Sequence, residues 1–415
     1  MPDVVTRRAV LGAAAGLAGT GLMPARAAYA GGPLDQGAVD AVASRLDADL
    51  VELRRDIHAH PEIAGQEERT ASMVAARLRA AGLAVTTGVG GHGVVGVLTG
   101  ARRGRPVAYR ADMDAVPPGD QIGGAGAEAA HLCGHDLHTA IGVGVAEVLA
   151  RLRHRLAGTV VFVFQPAEES LAGAAAMLDD GVFARVRPVE IHGLHCGPFP
   201  VGQFFTTSGF GLPGLDRGTV TLTGPDAPAR AQRLAAEIGA LGTVSPPATP
   251  AALERLVADL QTPDGPLARF VYMRAQAVEA EVRLSYRCWP EERYVEIRES
   301  VHGLARSFAE ATVDFPAAPF PAMLCPAREG QALTRHLRQT FGRGRVGALE
   351  AAIPFSGEDF ALFLDRMPGT FTFLGVRAPG APVETSYPHF SAFTPDERAI
   401  GYGVRAMAGW LARRT

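Results

Sequence analysis

The chain has 415 residues, of which 47% are hydrophobic and 20% charged, so it is long enough for two domains and can bury a large core. The formal net charge at pH 7 is −3 and the sequence pI is about 6.5, which excludes the strongly basic surface of a nucleic-acid-binding protein. A chain of this size needs no disulfides to fold, so its four cysteines are available for other roles.

The first thirty residues predict an export signal. Arg7 and Arg8 precede an uncharged run from Ala9 to Ala25, and the small residues that follow are typical of a cleavage site. The run is too short and too rich in alanine and glycine to span a membrane. Paired arginines before such a run resemble the twin-arginine (Tat) signal of proteins exported in folded form, with an ordinary Sec signal as the alternative. We therefore expect residues 1–30 to be a Tat-like signal and the mature protein to be periplasmic or extracellular.

Helices and buried strands alternate after this segment. Apolar residues at helical spacing predict helices over 39–59 and 66–81. Short apolar runs predict buried strands over 93–100, 106–114, 158–166 and 189–195. A helix from about Asp136 separates the second of these strands from the third. This order is typical of an α/β sheet with helices on both faces.

The pattern changes near residue 213. Strand-like runs at 218–224, 268–275, 278–289 and 311–315 are separated by helical stretches over 228–260 and 291–308. This order is close to β-α-β-β-α-β, which predicts a four-stranded ferredoxin-like module. We therefore expect a small α+β lid, residues 213–320, inserted into an α/β catalytic domain made of residues 31–212 and 321–415.

Ionisable side chains concentrate in the stretch HLCGHDLHTA, residues 131–140, and where predicted strands end. The stretch holds three histidines, one cysteine and one aspartate. Sites in open α/β sheets form outside the carboxyl ends of the strands, so we expect the groups at those ends to converge on the stretch. The groups that end or follow predicted strands, together with one histidine far downstream, are Asp112, Asp114, Glu168, Glu169, His195 and His389.

These residue types suit a divalent metal. One thiolate, one carboxylate and three imidazoles form a mixed ligand set that fits Zn²⁺ or a similar ion. Five ligands exceed the need of one tetrahedral catalytic ion, so we expect two ions about 3.5–4 Å apart. Folding in the cytoplasm would let Cys133 bind metal before it meets an oxidising compartment. We therefore interpret Cys133 as a ligand and not as half of a disulfide.

The adjacent pair Glu168 and Glu169 predicts two different roles. Neighbouring side chains on an extended backbone point in different directions, so one carboxylate can bind metal while the other stays free. A free carboxylate beside an activated water can act as general base and then protonate the leaving amine. The alternative is a solvated acidic pair at the end of a strand.

Seven motifs occur in a fixed order: RRDIHAHPEIAGQE, RADMDAVP, HLCGHDLHTA, FQPAEES, GLHCGP, GEDFALFL…PGTFTFLG and PHFSAFTPDE. They resemble the dinuclear metallo-amidohydrolases of the aminoacylase and carboxypeptidase-G superfamily. Within it they are most similar to the branch of hippurate hydrolase and the plant indole-acetyl-amino-acid hydrolases. The resemblance covers residues 45–212 and 325–412. It implies a hydrolase that cleaves the amide bond of N-acyl amino acids or similar small conjugates with two divalent ions, Zn²⁺ or Mn²⁺.

The resemblance also implies residue roles. Cys133 would bridge both ions and Glu168 would be the general base. Asp114 and Asp136 would orient the ligands. Asp112, His131 and His138 receive no role from the resemblance, and the two histidines are open between supporting ligands and simple packing. The remaining implied ligands are His135, Glu169, His195 and His389.

The lid departs from the family pattern. A glycine-glycine-histidine stretch, whose histidine helps to stabilise the oxyanion, is replaced here by TGPDAPAR, residues 223–230. An asparagine-isoleucine-proline-like stretch is also absent around VYMRAQAVEAEV, residues 271–282, and only Arg287 resembles an expected lid residue. The alternative function is therefore a metal-bearing but catalytically weak protein that binds small molecules. Lids of this family often dimerise, so a homodimer is a further expectation, with no nucleic-acid partner and no membrane span in the mature form.

Overall fold

The computed structural model describes residues 34–124, 126–308 and 310–415. The predicted export signal, residues 1–30, lies outside the described residues. Within the described ranges, no helix is both long and apolar enough to cross a membrane.

The strands in these ranges alternate with helices over most of the chain. In chain order the strands are β1 Ala84–Val89, β2 Gly93–Thr99, β3 Arg102–Asp112, β4 Ala157–Gln165, β5 Ile191–Pro200, β6 Phe204–Thr206, β7 Gly211–Leu212, β8 Asp216–Leu222, β9 Phe270–Val278, β10 Glu281–Trp289, β11 Ala311–Asp314, β12 Met323–Leu324, β13 Val346–Ala348 and β14 Gly369–Arg377. The helices are α1 Gln36–Ala43, α2 Asp47–His58, α3 Glu68–Ala80, α4 His135–Arg151, α5 Gly173–Asp179, α6 Ala227–Gly239, α7 Pro250–Asp259, α8 Tyr294–Ala305, α9 Ala327–Phe341, α10 Phe360–Leu364 and α11 Arg398–Arg414.

The larger sheet has eight strands in the order β1-β2-β4-β3-β5-β14-β6-β13. Its centre is parallel, because β3 pairs in parallel with β4 and β5, and β5 with β14. Alternate residues of β4 belong to two separate cores: Phe162 packs with α4 and α11 on one face, whereas Val161 and Val163 pack with α5 and α10 on the other. The predicted α/β sheet covered on both faces is confirmed.

The smaller sheet has four antiparallel strands in the order β11-β8-β10-β9. The connections β8-α6-α7-β9-β10-α8-β11 give the expected ferredoxin-like order, with α7 as an extra helix. Leu234 and Ile238 of α6 and Val301 of α8 are buried against Val220 and Val282 on one face of this sheet. The opposite face carries the alternate residues of β8, β9 and β10.

The single helix expected over residues 39–59 is wrong, because the chain forms α1 and α2 with a break between them. At the break, the backbone N–H groups of Arg45 and Leu46 donate to carbonyls three residues earlier, which tightens the helix and ends it. The Ser44 hydroxyl also donates to the Asp40 carbonyl at 2.8 Å. The apolar spacing continues through both helices, so it carried no signal for this break.

Candidate active site

The parallel strands bring the predicted site residues to one edge of the larger sheet. Asp112 is the last residue of β3, the glutamate pair follows β4 closely, and His195 lies within β5. Asp112 and the glutamate pair meet at the carboxyl edge of neighbouring parallel strands, as expected. The expectation that His195 ends its strand is wrong, because β5 continues to Pro200. His135 is the first residue of α4, which follows β3 in the chain. His389 lies in the segment before α11 and is held by its backbone N–H, which donates to the Leu132 carbonyl at 2.7 Å.

Gly134 allows Cys133 and His135 to enter the site on either side of a tight turn. Its φ is +90°, in the left-handed region that glycine adopts without strain. A Cβ atom at this position would lie 2.7 Å from the Cys196 Sγ atom. The start of α4 therefore requires glycine for both conformation and space.

The five predicted ligands fall into two neighbouring groups of donors. Cys133, Glu169 and His389 can place one donor atom each within 4.8 Å of one another, and His135 and His195 belong to a second such group. Cys133 Sγ lies 3.5 Å from His195 Nε2, and His389 Nε2 lies 3.4 Å from a Glu169 oxygen. Donor atoms around a tetrahedral ion with bonds of about 2.1 Å are separated by about 3.4 Å. The spacing therefore fits divalent cations.

Two buried atoms in this cluster have no hydrogen-bond partner among the described residues. They are His135 Nε2 and Glu169 Oε1, which lie 3.7 Å apart. Leaving such atoms unpaired in a protein interior costs about 1–3 kcal/mol each. A metal ion would satisfy both, so this observation and the donor chemistry agree.

The other ring nitrogen of each predicted histidine ligand has a backbone partner. The Nδ1 atoms of His135 and His195 donate to the carbonyls of Asp114 and Cys196, both at 2.8 Å, and His389 Nδ1 lies 3.2 Å from the Asp120 carbonyl. These bonds leave each Nε2 facing the cluster, which is the usual support of a metal-binding imidazole.

Asp114 holds two predicted ligands at once. One of its carboxylate oxygens lies 3.2 Å from His135 Nδ1, and the other accepts the backbone N–H of Glu169 at 2.9 Å. Its position matches the orienting role expected from the resemblance.

The cluster carries an excess of negative groups. Burial, followed by the charges of Glu169 and Glu168, raises the pKa of the Cys133 thiol well above its usual value. Burial alone would lower the pKa of His135, but Asp112 and the other carboxylates around it raise that pKa to about 10. A divalent cation would offset these carboxylates and favour the thiolate form of Cys133.

The expected extended backbone at the glutamate pair is wrong. Ala167 has φ +55°, and the Leu171 N–H donates to the Glu168 carbonyl at 2.7 Å, so both glutamates lie in a turn. Glu168 and Glu169 consequently approach the same atom, His135 Nε2, at 3.8 and 3.7 Å. Their surroundings nevertheless differ, because Glu169 faces His389 whereas Glu168 lies in a group with two further acidic residues, Glu358 and Asp359.

Asp136 contacts a different set of residues from the one expected. Its carboxylate pairs with Arg54 Nε and His58 Nδ1, both at 2.7 Å, and accepts the Leu137 N–H at 2.9 Å. Among the described residues, none of these three partners is a predicted ligand side chain. Asp136 therefore anchors the first turn of α4, and it acts on the neighbouring His135 only through the backbone.

Sequence analysis did not anticipate a buried network around Arg110. Its guanidinium pairs with Asp112, with Glu358 at 2.9 Å and with Asp359 at 3.2 Å, and its Nε donates to Gln165 at 2.8 Å. The motifs RADMD and GEDF contain most of these residues, but their contact depends on bringing together segments that are distant in the chain. The network links the end of β3 to the segment beside Glu168.

His138 and His131, for which the sequence left the role open, differ in their hydrogen bonding. His138 donates from Nδ1 to Asp112 at 2.6 Å and accepts the Cys196 N–H at 2.8 Å. It therefore links the end of β3 to β5. Both ring nitrogens of His131 are buried without a hydrogen-bond partner among the described residues, and its ring stacks on His58 with centroids 6.3 Å apart.

Arg287 lies beside the site without touching the predicted ligands. It is half-buried, and its Nη1 is 3.4 Å from the carbonyls of Pro213 and Gly214. It packs against Gly357, where an added Cβ would lie 2.4 Å from the same nitrogen. Burial and the nearby Arg217 lower the pKa of Arg287 to about 10, although the charge of Glu168 opposes them.

This arrangement is that of a hydrolase, and the chain belongs to peptidase family M20/M25/M40, whose sequence profile matches residues 108–413. A probable hydrolase of Synechocystis sp. is 32% identical over 390 residues, covering 89% of this chain and 97% of the relative. The N-acetylcysteine deacetylase of Bacillus subtilis is 30% identical over 364 residues, covering 85% of this chain and 93% of the relative. The expected superfamily is thereby confirmed at the level of the family.

A solved structure gives the same fold. A dinuclear metal-binding peptidase of the M20 family from Bacillus subtilis superposes with a TM-score of 0.66 at 26% identity, covering 90% of this chain and 98% of that protein. The narrower likeness to the hippurate hydrolase branch stays a prediction.

Proposed function

We propose that this protein is a metal-dependent amidohydrolase that cleaves N-acyl amino acids or similar small conjugates into a carboxylic acid and a free amine. The proposal rests on two buried atoms, His135 Nε2 and Glu169 Oε1, that lie among the five donor side chains and have no hydrogen-bond partner in the part of the chain that the structure describes. The substrate class is supported by relatives named as deacetylases of N-acetylcysteine and, in Enterococcus faecalis, of N-acetyldiaminopimelate. By its motifs, the chain fits best with the hippurate hydrolase branch.

In this proposal the site residues act either as metal ligands or as a general base that transfers protons. Two divalent ions, Zn²⁺ or Mn²⁺, fit the donor set, which consists of Cys133, His135, Glu169, His195 and His389. When bound, such ions polarise the amide carbonyl and acidify water. Asp114 and the backbone carbonyls behind the histidines fix the orientation of the donors.

Glu168 is the proton carrier in this proposal. It is buried beside the donor cluster, 3.8 Å from His135 Nε2, but is not one of the five donors. Its carboxylate takes the proton of the attacking water and then gives it to the leaving amine nitrogen. Burial and the neighbouring Glu358 and Glu169 raise the pKa of Glu168, which favours holding that proton between the two steps.

The experiment is a metal count combined with a substrate screen. The purified protein is analysed by mass spectrometry for bound metal and is assayed for amine release from N-acetyl, benzoyl and indole-acetyl amino acids. We expect two ions per chain and turnover of at least one substrate class. Two ions without turnover would favour the alternative, a catalytically weak small-molecule-binding protein, for which the missing lid histidine is the specific argument.

A further inference from the structure

Three arginines share the helix-free face of the four-stranded sheet. Ser285 of β10 pairs with Arg217 of β8 on one side and with Arg274 of β9 on the other. Arg287 stands two residues further along β10, so its side chain lies on the same face. We call Arg217, Arg274 and Arg287 the arginine face.

The arginine face has no acidic partner in the described part of the chain. Arg274 contacts the hydroxyl and ring of Tyr272, and Arg287 reaches only two backbone carbonyls. By contrast, Arg283 on the same side of β10 forms an ion pair with Glu281 at 3.4 Å. Arg217 and Arg274 are close enough to Arg287 for their charges to disfavour its protonated form. Three neighbouring guanidiniums without an ion-pair partner among the described residues, of which Arg287 is also influenced by the charge of Glu168, indicate a place for an anion.

This face begins at the candidate active site and continues to the protein surface. Arg287 packs against Gly357, which directly precedes Glu358, and the charge of Glu168 acts on Arg287. Arg217 and Arg274 are exposed. A substrate with its amide bond near Glu168 could therefore extend its other end along the arginine face.

We propose that the arginine face binds a second carboxylate of the substrate, so that the enzyme prefers N-acyl derivatives of acidic amino acids. This inference rests on the proposed function, which supplies the substrate class. Every N-acyl α-amino acid carries an α-carboxylate, and one guanidinium can pair with it in a bidentate manner. Two further guanidiniums remain for an acidic side chain. Arg274 also lies in the stretch where the expected asparagine-isoleucine-proline pattern is absent.

The test compares N-acetyl-L-glutamate with N-acetyl-L-glutamine, which have nearly the same shape and differ in one charge. We expect kcat/KM to favour the glutamate derivative by about 10-fold or more, the usual size of a charge-assisted contact. Arg217→Gln and Arg274→Gln should each reduce this ratio, and the double variant should bring it close to one. Arg283→Gln is the matched control on the same face, and its ratio should equal that of the unmodified protein. An unchanged ratio in the double variant would overturn the inference.

Binding measured by calorimetry separates this inference from the proposed function. If no N-acyl amino acid is hydrolysed, the proposed function fails. Tighter binding of N-acetyl-L-glutamate than of N-acetyl-L-glutamine, lost in the double variant, would still support the arginine face. Equal binding of the two compounds would refute it, as would binding of inorganic phosphate as tight as that of the diacid, which would indicate a general anion site.

Discussion

Cys133 reaches both groups of donors in the candidate metal site. Its sulfur lies 3.5 Å from His195 Nε2 and also belongs to the group of Glu169 and His389. All four cysteines of the chain are buried and free of disulfides. A thiol in such a position, with a pKa raised by burial and by carboxylates, favours the thiolate only when a cation is present.

We therefore predict that Cys133→Ser reduces bound metal and lowers the thermal unfolding midpoint, because metal binding is coupled to folding. Thiol titration of the native protein should find Cys133 protected and a chelator should expose it. Cys288→Ser, which removes a buried thiol of the smaller sheet, is the matched control for metal content. A Cys133–Cys196 disulfide in the purified protein would contradict this assignment.

Glu168 gives the second prediction at this scale. Glu168→Gln should leave metal content unchanged and lower turnover by at least about 10²-fold, the usual loss when a general base is removed. Metal analysis and initial rates on the best substrate measure both quantities. Glu237→Gln, an exposed change on α6, controls for the loss of one carboxylate. Full turnover in Glu168→Gln with both ions bound would remove Glu168 from the mechanism.

At the level of single residues, the sequence predicted which side chains come together better than it predicted the contacts that support them. The predicted donors converge because each stands in a motif whose position relative to a strand is readable from apolar runs. The partners of Arg110 could not be read in this way, since Asp112 and Glu358 meet only after β3 and the segment before α10 pack together.

At the level of elements, regular segments were predictable and turns were not. Continuous apolar runs gave β2 to β5 within a few residues, because strands buried on both faces lack polar positions. The turn at Ala167 depends on a positive φ that alanine rarely adopts, so nothing in the local sequence indicated it. That turn decides where both glutamates lie.

The Arg110 network gives an element-scale prediction. Arg110→Met keeps the volume but leaves Asp112, Glu358 and Asp359 buried without their cation. Removing one partner of a buried ion pair costs about 3–5 kcal/mol of unfolding free energy, and urea denaturation should show a loss of this size. Arg233→Met, an exposed change on α6, is the control. A loss of less than about 1 kcal/mol would show that the network contributes no more than a surface ion pair.

At the level of the whole molecule, the candidate metal site ties together the ends of the central strands and the segment that carries His389. We predict that a chelator lowers the thermal unfolding midpoint and that Zn²⁺ or Mn²⁺ restores it, because a ligand that binds only the native state stabilises it. Calorimetric scans with and without chelator measure the shift. The same midpoint in both scans, from protein shown to contain metal beforehand, would mean that the ions do not contribute to stability.

The fold class could be predicted because the change from α/β to β-α-β-β-α-β order is visible in the chain. Dimerisation through the lid and export by the Tat route remain predictions, the first because a single chain shows no partner and the second because residues 1–30 lie outside the described residues.

The order of the donors along the chain has a consequence for biosynthesis. Cys133 and His135 leave the ribosome early, whereas His389 follows only after the whole four-stranded sheet has been translated. A nascent chain can therefore offer only part of the site, with Cys133 exposed to whatever thiol-reactive metals the cell contains. The complete set of proposed donors therefore exists only after synthesis has passed His389, so an ion bound earlier would have fewer protein ligands than the proposed site offers.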